Sequence, residues 1–458
     1  MLSETACPDI SGKSRFAGKR RMIFWFLIAI TALLFYQPVF SQSNEKEYTI
    51  DELIKIAFQN NPQLKANEKN IQAGMKQIDY LDKDYLPQIF FDLNFSRWDW
   101  VMPNKQKYLG NSLNDFYADF RVNQLIYDWG KNSIQKEYAD KTVDIDRNFT
   151  KKLRQAFSYS IAKSYLELLR AKRTVAIQEE AINQLRDHLK NAEALYGIGK
   201  VSNLDVIKAQ VQIEVALDEL AKAKNQLDVQ KNNLNVVCGN TLGDSFSVVD
   251  NIDELWSQYS ARNYSFDELR NVLAAHHPDL ENIKTQKELR GKEVELFNKE
   301  YYPNFYAFGI TNVEDSQIPM GNFNWNVGVT VSYSLPLFKG SNFQEKVEQS
   351  KIRIDALQEN GNAIQQQLET LVKNTLVKYD DIKSRLSGTA KIVKLADESL
   401  TTANMKYNIG KGNSLDVLDA ETVLTTAKLN YNQIVIDLLS TIAELNYNIG
   451  SDEIPFNK

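Results

Sequence analysis

The residues best placed to do chemistry are Asp416 and Asp419. Three positions apart in the run Asp416-Val417-Leu418-Asp419, they share a helix face and can act jointly on a cation. Helix capping is the competing role, because an aspartate near a helix N-terminus is favourable by roughly 0.3–1 kcal/mol. Capping suits Asp205 and Asp416, each just after a turn. It suits Asp419 poorly, since Asp419 lies further along and its counterpart in the first half of the chain is Lys208. The three histidines, His188, His276 and His277, invite a metal. His276 and His277 are adjacent and so diverge on a helix, and no Cys or carboxylate pattern joins them at ligand spacing. There is no nucleophile elbow, phosphate-cradling glycine motif or Ser/His/Asp arrangement. The chain reads as a non-enzyme with neither cofactor nor metal.

The elements that carry these residues occur twice. Tyr196-Gly197-Ile198-Gly199-Lys200-Val201-Ser202-Asn203-Leu204-Asp205-Val206 returns as Tyr407-Asn408-Ile409-Gly410-Lys411-Gly412-Asn413-Ser414-Leu415-Asp416-Val417, 211 positions later. Asp51-Glu52-Leu53, Pro62, Leu64, Tyr85 and Pro87 return as Asp267-Glu268-Leu269, Pro278, Leu280, Tyr301 and Pro303, 216 positions later. The difference falls where the first copy has a longer loop around Trp98–Asn114. Residues 42–263 and 264–458 therefore read as two copies of one unit, each a check on the other.

Within a copy the apolar period changes. Ile50–Asn60 reads as a short helix, and Asn61-Pro62 starts a second one running to about Asp84. After Pro87, Ile89, Phe91, Leu93 and Phe95 alternate with polar positions, as do Phe116, Ala118, Phe120 and Val122 against Tyr117, Asp119, Arg121 and Asn123. Period two with one apolar face is a strand signature. Trp325, Val327, Val329, Val331, Tyr333 and Leu335 repeat it in the second copy, whereas Phe305–Thr311 has apolar residues on both parities and its outer face stays open. Trp98 and Trp100 read as an interfacial aromatic girdle, with packing under the neighbouring loop as the alternative. Lys131–Tyr196 and Asn342–Tyr407 contain no Pro, so each stretch forms a helix roughly 100 Å long. Gly199 and Gly410 supply the backbone freedom of the turns that follow. The return helices repeat apolar residues at heptad spacing, through Val206, Gln210, Ile213, Leu217, Leu220, Lys224, Leu227, Lys231 and Leu234, and through Val417, Glu421, Leu424, Lys428, Tyr431, Val435, Leu438, Ile442 and Leu445. Residues 239–263 read as an irregular connector with Leu255 and Trp256 as its packing handles.

Composition sets the compartment. Lys13, Arg15, Lys19, Arg20 and Arg21 precede the apolar run Met22–Phe35, and Val39-Phe40-Ser41 ends in a small residue, the order of a secretory signal peptide over residues 1–41. Its removal takes away Cys7, leaving Cys238 alone, and moves the formal charge from −5 to −8, which argues against a nucleic-acid partner.

Four strands of about ten residues suit a tilted crossing of a bilayer. They cannot close alone, and an open sheet in lipid strands edge N–H and C=O groups at several kcal/mol each. More chains must supply the rest of the wall. The signal, the two copies and the Tyr-x-x-Gly-x-x-x-x-Leu-Asp-Val turns together resemble the TolC-like outer-membrane efflux protein family, over essentially all of residues 48–450. The resemblance implies a mainly α protein with a β-barrel part: a homotrimer in which four strands per protomer complete a twelve-stranded barrel in outer-membrane lipid. Long coiled-coil hairpins form an α-barrel through the periplasm, with the two turns at its far tip. It further implies Asp416 and Asp419 as an acidic constriction, six carboxylates per trimer, and Tyr407 with Asp205 as a link that closes the tip. Gly199, Lys200, Leu204, Gly410, Lys411 and Leu415 then form the surface where a periplasmic adaptor docks, coupling the duct to an inner-membrane pump. Tyr117, Asp119, Arg121 and Asn123 face the lumen. The family's best-known member has an Arg where this chain has Gly412, so a second closing link is not implied and the tip is expected to be held less tightly. The expected function is passive export of small molecules. A type I protein-secretion duct would share the architecture, and a periplasmic coiled-coil scaffold or adhesin would need no alternating strands.

Overall fold

The computed structural model describes residues 46–111, 113–243, 246–252, 255, 262–333 and 340–451, without the side chains of 340–342. The expected signal segment, Trp256 and Leu335 lie outside them. Residues from Glu47 onward cluster as one unit.

Caps and prolines set the element boundaries. Strand β1 (Lys46–Tyr48) leads to Thr49, which forms a capping box with Glu52 at the start of helix α1 (Ile50–Asn60). Asn61 ends α1 and caps α2 (Pro62–Leu81), its side chain accepting from Gln63 and Leu64 N–H, with Pro62 in the first turn. Strand β2 (Gln88–Arg97) follows Pro87, and a loop carrying the short helix α3 (Gln106–Leu109) leads to β3 (Asn114–Tyr127). A long helix, α4 (Lys131–Gly197), turns at Gly199 into α5 (Asn203–Val237), and a connector containing β4 (Phe246–Val248) joins the halves. The second half repeats the order: α6 (Phe266–His276), α7 (Pro278–Lys299), β5 (Asn304–Asp315), β6 (Asn322–Ser332), α8 (Gly340–Asn408) and α9 (Ser414–Asn448). His277 caps α7 as Asn61 caps α2, its Nδ1 accepting from Asp279 N–H at 3.2 Å. Among the described residues no helix is long and apolar enough to cross a membrane.

The four long strands form one antiparallel sheet in the order β2-β3-β5-β6. Register settles the outer face that alternation leaves open in β5. Val122 opposes Gly309, Phe120 opposes Thr311 and Ala118 opposes Val313, and these in turn oppose Val327, Trp325 and Phe323. The outer face is therefore continuous from β2 to β6, and Ile89, Phe91, Leu93, Phe95, Trp325, Val327, Val329 and Val331 on it are all exposed. Tyr306, Phe308, Ile310, Asn312 and Glu314 belong to the inner face with Tyr117, Asp119, Arg121 and Asn123.

The largest core lies well along the helices from the sheet, where α1, α4, α5, α8, α9 and the connector meet around Leu53, Ile161, Leu169, Leu234, Tyr379 and Ile442. The described residues of the connector are packed rather than irregular. Leu242, Phe246, Val248, Ile252 and Leu255 are all buried, and β4 pairs with β1. The return-helix seam also needs correcting in the first copy. Val206 and Ile213 are buried as expected and Leu217 and Leu220 pack half-buried on the cluster that holds Ile213, but Ala209, Ala216 and Ala223 are buried while Gln210 and Lys224 are exposed. Small alanines let the helices approach closely, while Lys224 stays outside and pairs with Glu179 at 2.9 Å.

Candidate functional site

Two regions carry the candidate residues: the hairpin tips and the inner face of the sheet. Each tip is a helix stop followed at once by a helix start. Gly199 (φ +74°) and Gly410 (φ +73°) are left-handed, and Lys200 and Lys411 N–H donate back to Leu195 and Lys406 carbonyls at 2.9 Å. These are Schellman closures. A capping box then opens each return helix, Ser202 with Asp205 and Asn413 with Asp416. Ser202 N–H donates to Asp205 at 3.2 Å and Asn413 N–H to Asp416 at 3.4 Å. Asp205 and Asp416 are thus caps in this fold. Asp419 makes no hydrogen bond or ion pair among the described residues. Asp416 and Asp419 are both exposed on one side of α9, away from the buried Val417 and Leu418.

The two turns meet in a shared apolar cluster of Ala192, Val206, Tyr407, Val417 and Leu424. Symmetry between the copies fails inside it. Tyr407 is fully buried, whereas its counterpart Tyr196 is exposed. Tyr407 packs on the ring of His188, centroids 4.8 Å apart, and the His188 Nε2 lies 2.9 Å from the Ser414 hydroxyl. His188 Nδ1 is buried without a hydrogen-bond partner, and burial lowers the imidazole pKa. The Tyr407 hydroxyl is also buried without a well-formed hydrogen bond. Burial and, after it, the nearby Asp205 charge raise its pKa, which Ser414 counters. Tyr407 and Asp205 are therefore neighbours within this protomer but are not bonded to each other.

His188 has a packing role at the tip. Ala181, Leu185, His188 and Ala192 step by four and three and are all buried, so its spacing marks it as a seam residue. Gly412 has a steric reason: a Cβ there would lie 2.9 Å from Tyr407 N, so a larger residue would force the turn to shift. Lys200, Leu204, Lys411 and Leu415 are exposed on the tip beside the two glycines, and Ile198 and Ile409 extend that surface with apolar side chains.

On the inner face, Arg121 donates to Asp119 at 3.0 Å and to Asp92 at 3.1 Å, bridging two carboxylates that sit directly opposite each other across β2 and β3. Tyr117 and Asn123 lie on the same face at either side of this pair. The girdle expectation fails for Trp98, whose Nε1 donates to Asp115 at 3.1 Å beneath the neighbouring loop, while Trp100 is exposed. Aromatics gather instead where strands meet helices. Tyr85, Tyr127, Tyr302 and Tyr333 mark the four junctions, and all are exposed.

The fold is thus an open sheet with an apolar outer face, carried on long helical hairpins closed by paired turns. The chain belongs to the outer membrane efflux protein family, whose pattern matches residues 53–240 and 269–451. It is 21% identical over 413 residues to the outer membrane protein TolC of Escherichia coli, covering 84% of this chain and 80% of that one. The alkaline protease secretion protein AprF of Pseudomonas aeruginosa is 19% identical, covering 94% of this chain and 89% of its own. The fold also matches the solved structure of CusC, with a TM-score of 0.72 at 18% identity over 91% of this chain and 95% of that one. The protein is an outer-membrane efflux duct whose helical part lies in the periplasm.

Proposed function

We propose that three copies of this chain form the duct, each contributing four strands to a twelve-stranded barrel and two hairpins to an α-barrel. The observation that carries this is the open sheet. Its outer face is apolar and exposed, its inner face carries Asp92, Asp119 and Arg121, and among the described residues its edge strands, β2 and β6, have no partner on one side. In lipid such edges must be paired, and β6 of one copy against β2 of the next closes the ring. The helices offer a matching seam: Leu204, Ile207, Val211 and Val215 on α5 are exposed at helical spacing, as a face awaiting a neighbouring helix would be.

The protein catalyses nothing in this reading. It is a passive exit for small molecules, exported on a cleavable signal over residues 1–41 and built from two copies of one unit. An adaptor docks on the tip around Gly199, Lys200, Leu204, Gly410, Lys411 and Leu415, and an inner-membrane pump supplies the energy. The Asp416 and Asp419 ring is the narrow point, held near closure by packing around Tyr407 and Asp205. The likeness to a protease secretion protein favours a second cargo class, secreted protein, through the same architecture. Detergent-extracted protein should run as a trimer and give discrete conductance steps in planar bilayers. A monomer with full strand content, or bilayers without steps as a coiled-coil scaffold would leave them, overturns the proposal.

A further inference from the structure

The loop between β2 and β3 does not stand clear of the sheet. It folds back over the inner face at the end remote from the helices. Lys105 Nζ donates to Asp115 and to Glu314, each at 2.7 Å, and so ties the loop to β3 and β5. Tyr108 reaches further, to β6: its hydroxyl lies 3.4 Å from the Asn324 side-chain oxygen, and Asn322 donates to its carbonyl at 3.3 Å. Register places Asp115, Glu314, Asn322 and Asn324 all on the inner face. In an unobstructed water-filled mouth these carboxylates would be solvated. Instead the Asp115 side chain is 3% exposed and that of Glu314 10%. Val101 and Leu109 are buried in the loop itself, which gives it a small core of its own.

We propose that this loop, clamped by Lys105, narrows the outer mouth of the channel and sets a size limit there, separate from the acidic tip. The proposal rests on the barrel reading above, in which the inner face lines the lumen. Three loops around the axis, each crossing from β3 to β6, would restrict bulky solutes at the external end, whichever state the tip is in. Loop and sheet are joined by charge-assisted hydrogen bonds, the stronger kind, so the restriction is held in place rather than transient.

The test reads access from outside and does not depend on the tip. Asn326→Cys puts a thiol on the inner face below the loop, and the native Cys238 is buried and gives little background. Intact cells are treated with a small biotin-maleimide or with a multi-kilodalton PEG-maleimide. In the otherwise native channel the large reagent should label the Asn326→Cys variant at least roughly tenfold more slowly than the small one. Lys105→Ala, or replacement of residues 103–111 by a short Gly-Ser link, should bring the two rates together, whereas Lys105→Arg should keep them apart. Equal rates for both reagents in the native loop background would overturn the proposal. Failure of the small reagent to label any of the variants would show that the inner face is not a water-filled lumen, so the barrel reading would fall and the mouth proposal with it.

Discussion

Glu421 and His188 are buried ionisable groups near the tip seam, and they titrate in opposite senses. Burial pushes the Glu421 carboxyl from its ordinary 4.5 up to about 7, against the opposing influence of Lys428 and with a further push from Glu180. Lys428 itself bonds to Glu180 at 2.9 Å. A folded-state pKa raised in this way contributes stability fully below about pH 4.5 and loses it as pH rises through about 7. His188 runs the other way: its lowered pKa contributes stability above 6.5 that is lost on acidification. Glu421→Gln removes only the first effect. It should stabilise the protein at pH 8 by about 3 kcal/mol and by close to nothing at pH 4, since one pKa unit is about 1.4 kcal/mol. Thermal unfolding of both proteins at the two pH values measures this, and an equal gain at both would mean that the carboxyl's charge is irrelevant. At this scale the sequence is only partly readable. Glu421 stands at a heptad position and Asp205 and Asp416 at helix starts, as their spacing says. The burial of Tyr407 beside an exposed Tyr196 could not be read from a repeat that treats the two as equals, because the asymmetry comes from His188, whose repeat counterpart is Ser399.

Elements were legible wherever one physical period dominated. Proline-free runs, Asn61-Pro62 and the paired glycine turns locate the helices nearly to the residue, because caps and breakers are local chemistry. Strand phase in β2, β3 and β6 follows from alternation. In β5 it does not, because Phe308 and Ile310 lie on the inner face among polar groups, and only pairing with β3 and β6 fixes the register. In the first return helix the seam takes alanines where heptad spacing points to Gln210 and Lys224, for a related reason. Residues at i+3 and i+4 both border a helical seam, and alanine, which a hydrophobicity pattern ranks below leucine, wins where backbones come close. The β4–β1 pairing leaves no mark in the sequence because three residues are too few to display a period. Strand phase makes a direct forecast. Leu93→Arg, on the outer face, should lower insertion stability by roughly 2–4 kcal/mol, while Asn94→Arg, opposite Tyr117 on the inner face, should be tolerated. Equal loss of heat-resistant trimer on gels from both variants would contradict the assigned faces.

At the scale of the whole assembly, the question is whether Asp416 and Asp419 only finish a helix or also govern passage. In the proposed trimer, six carboxylates would surround a narrow axis, and crowded like charges raise the local negative potential and attract multivalent cations. The fold assigns Asp416 a capping contact, but that contact is long, at 3.4 Å, and Asp419 has no such task. The channel should therefore be cation-selective and blocked from the periplasmic side by di- or trivalent cations. Asp416→Ala with Asp419→Ala should weaken the block at least roughly tenfold. Asp205→Ala, which removes the other cap and the charge beside Tyr407, should loosen the tip and raise basal conductance while leaving the block in place. If capping were the whole role, the double variant would lose about 1 kcal/mol of helix stability and keep both selectivity and block. Single-channel recordings separate these outcomes, and an unchanged block in the double variant would reduce the two aspartates to helix-terminal residues and move the narrow point elsewhere in the duct.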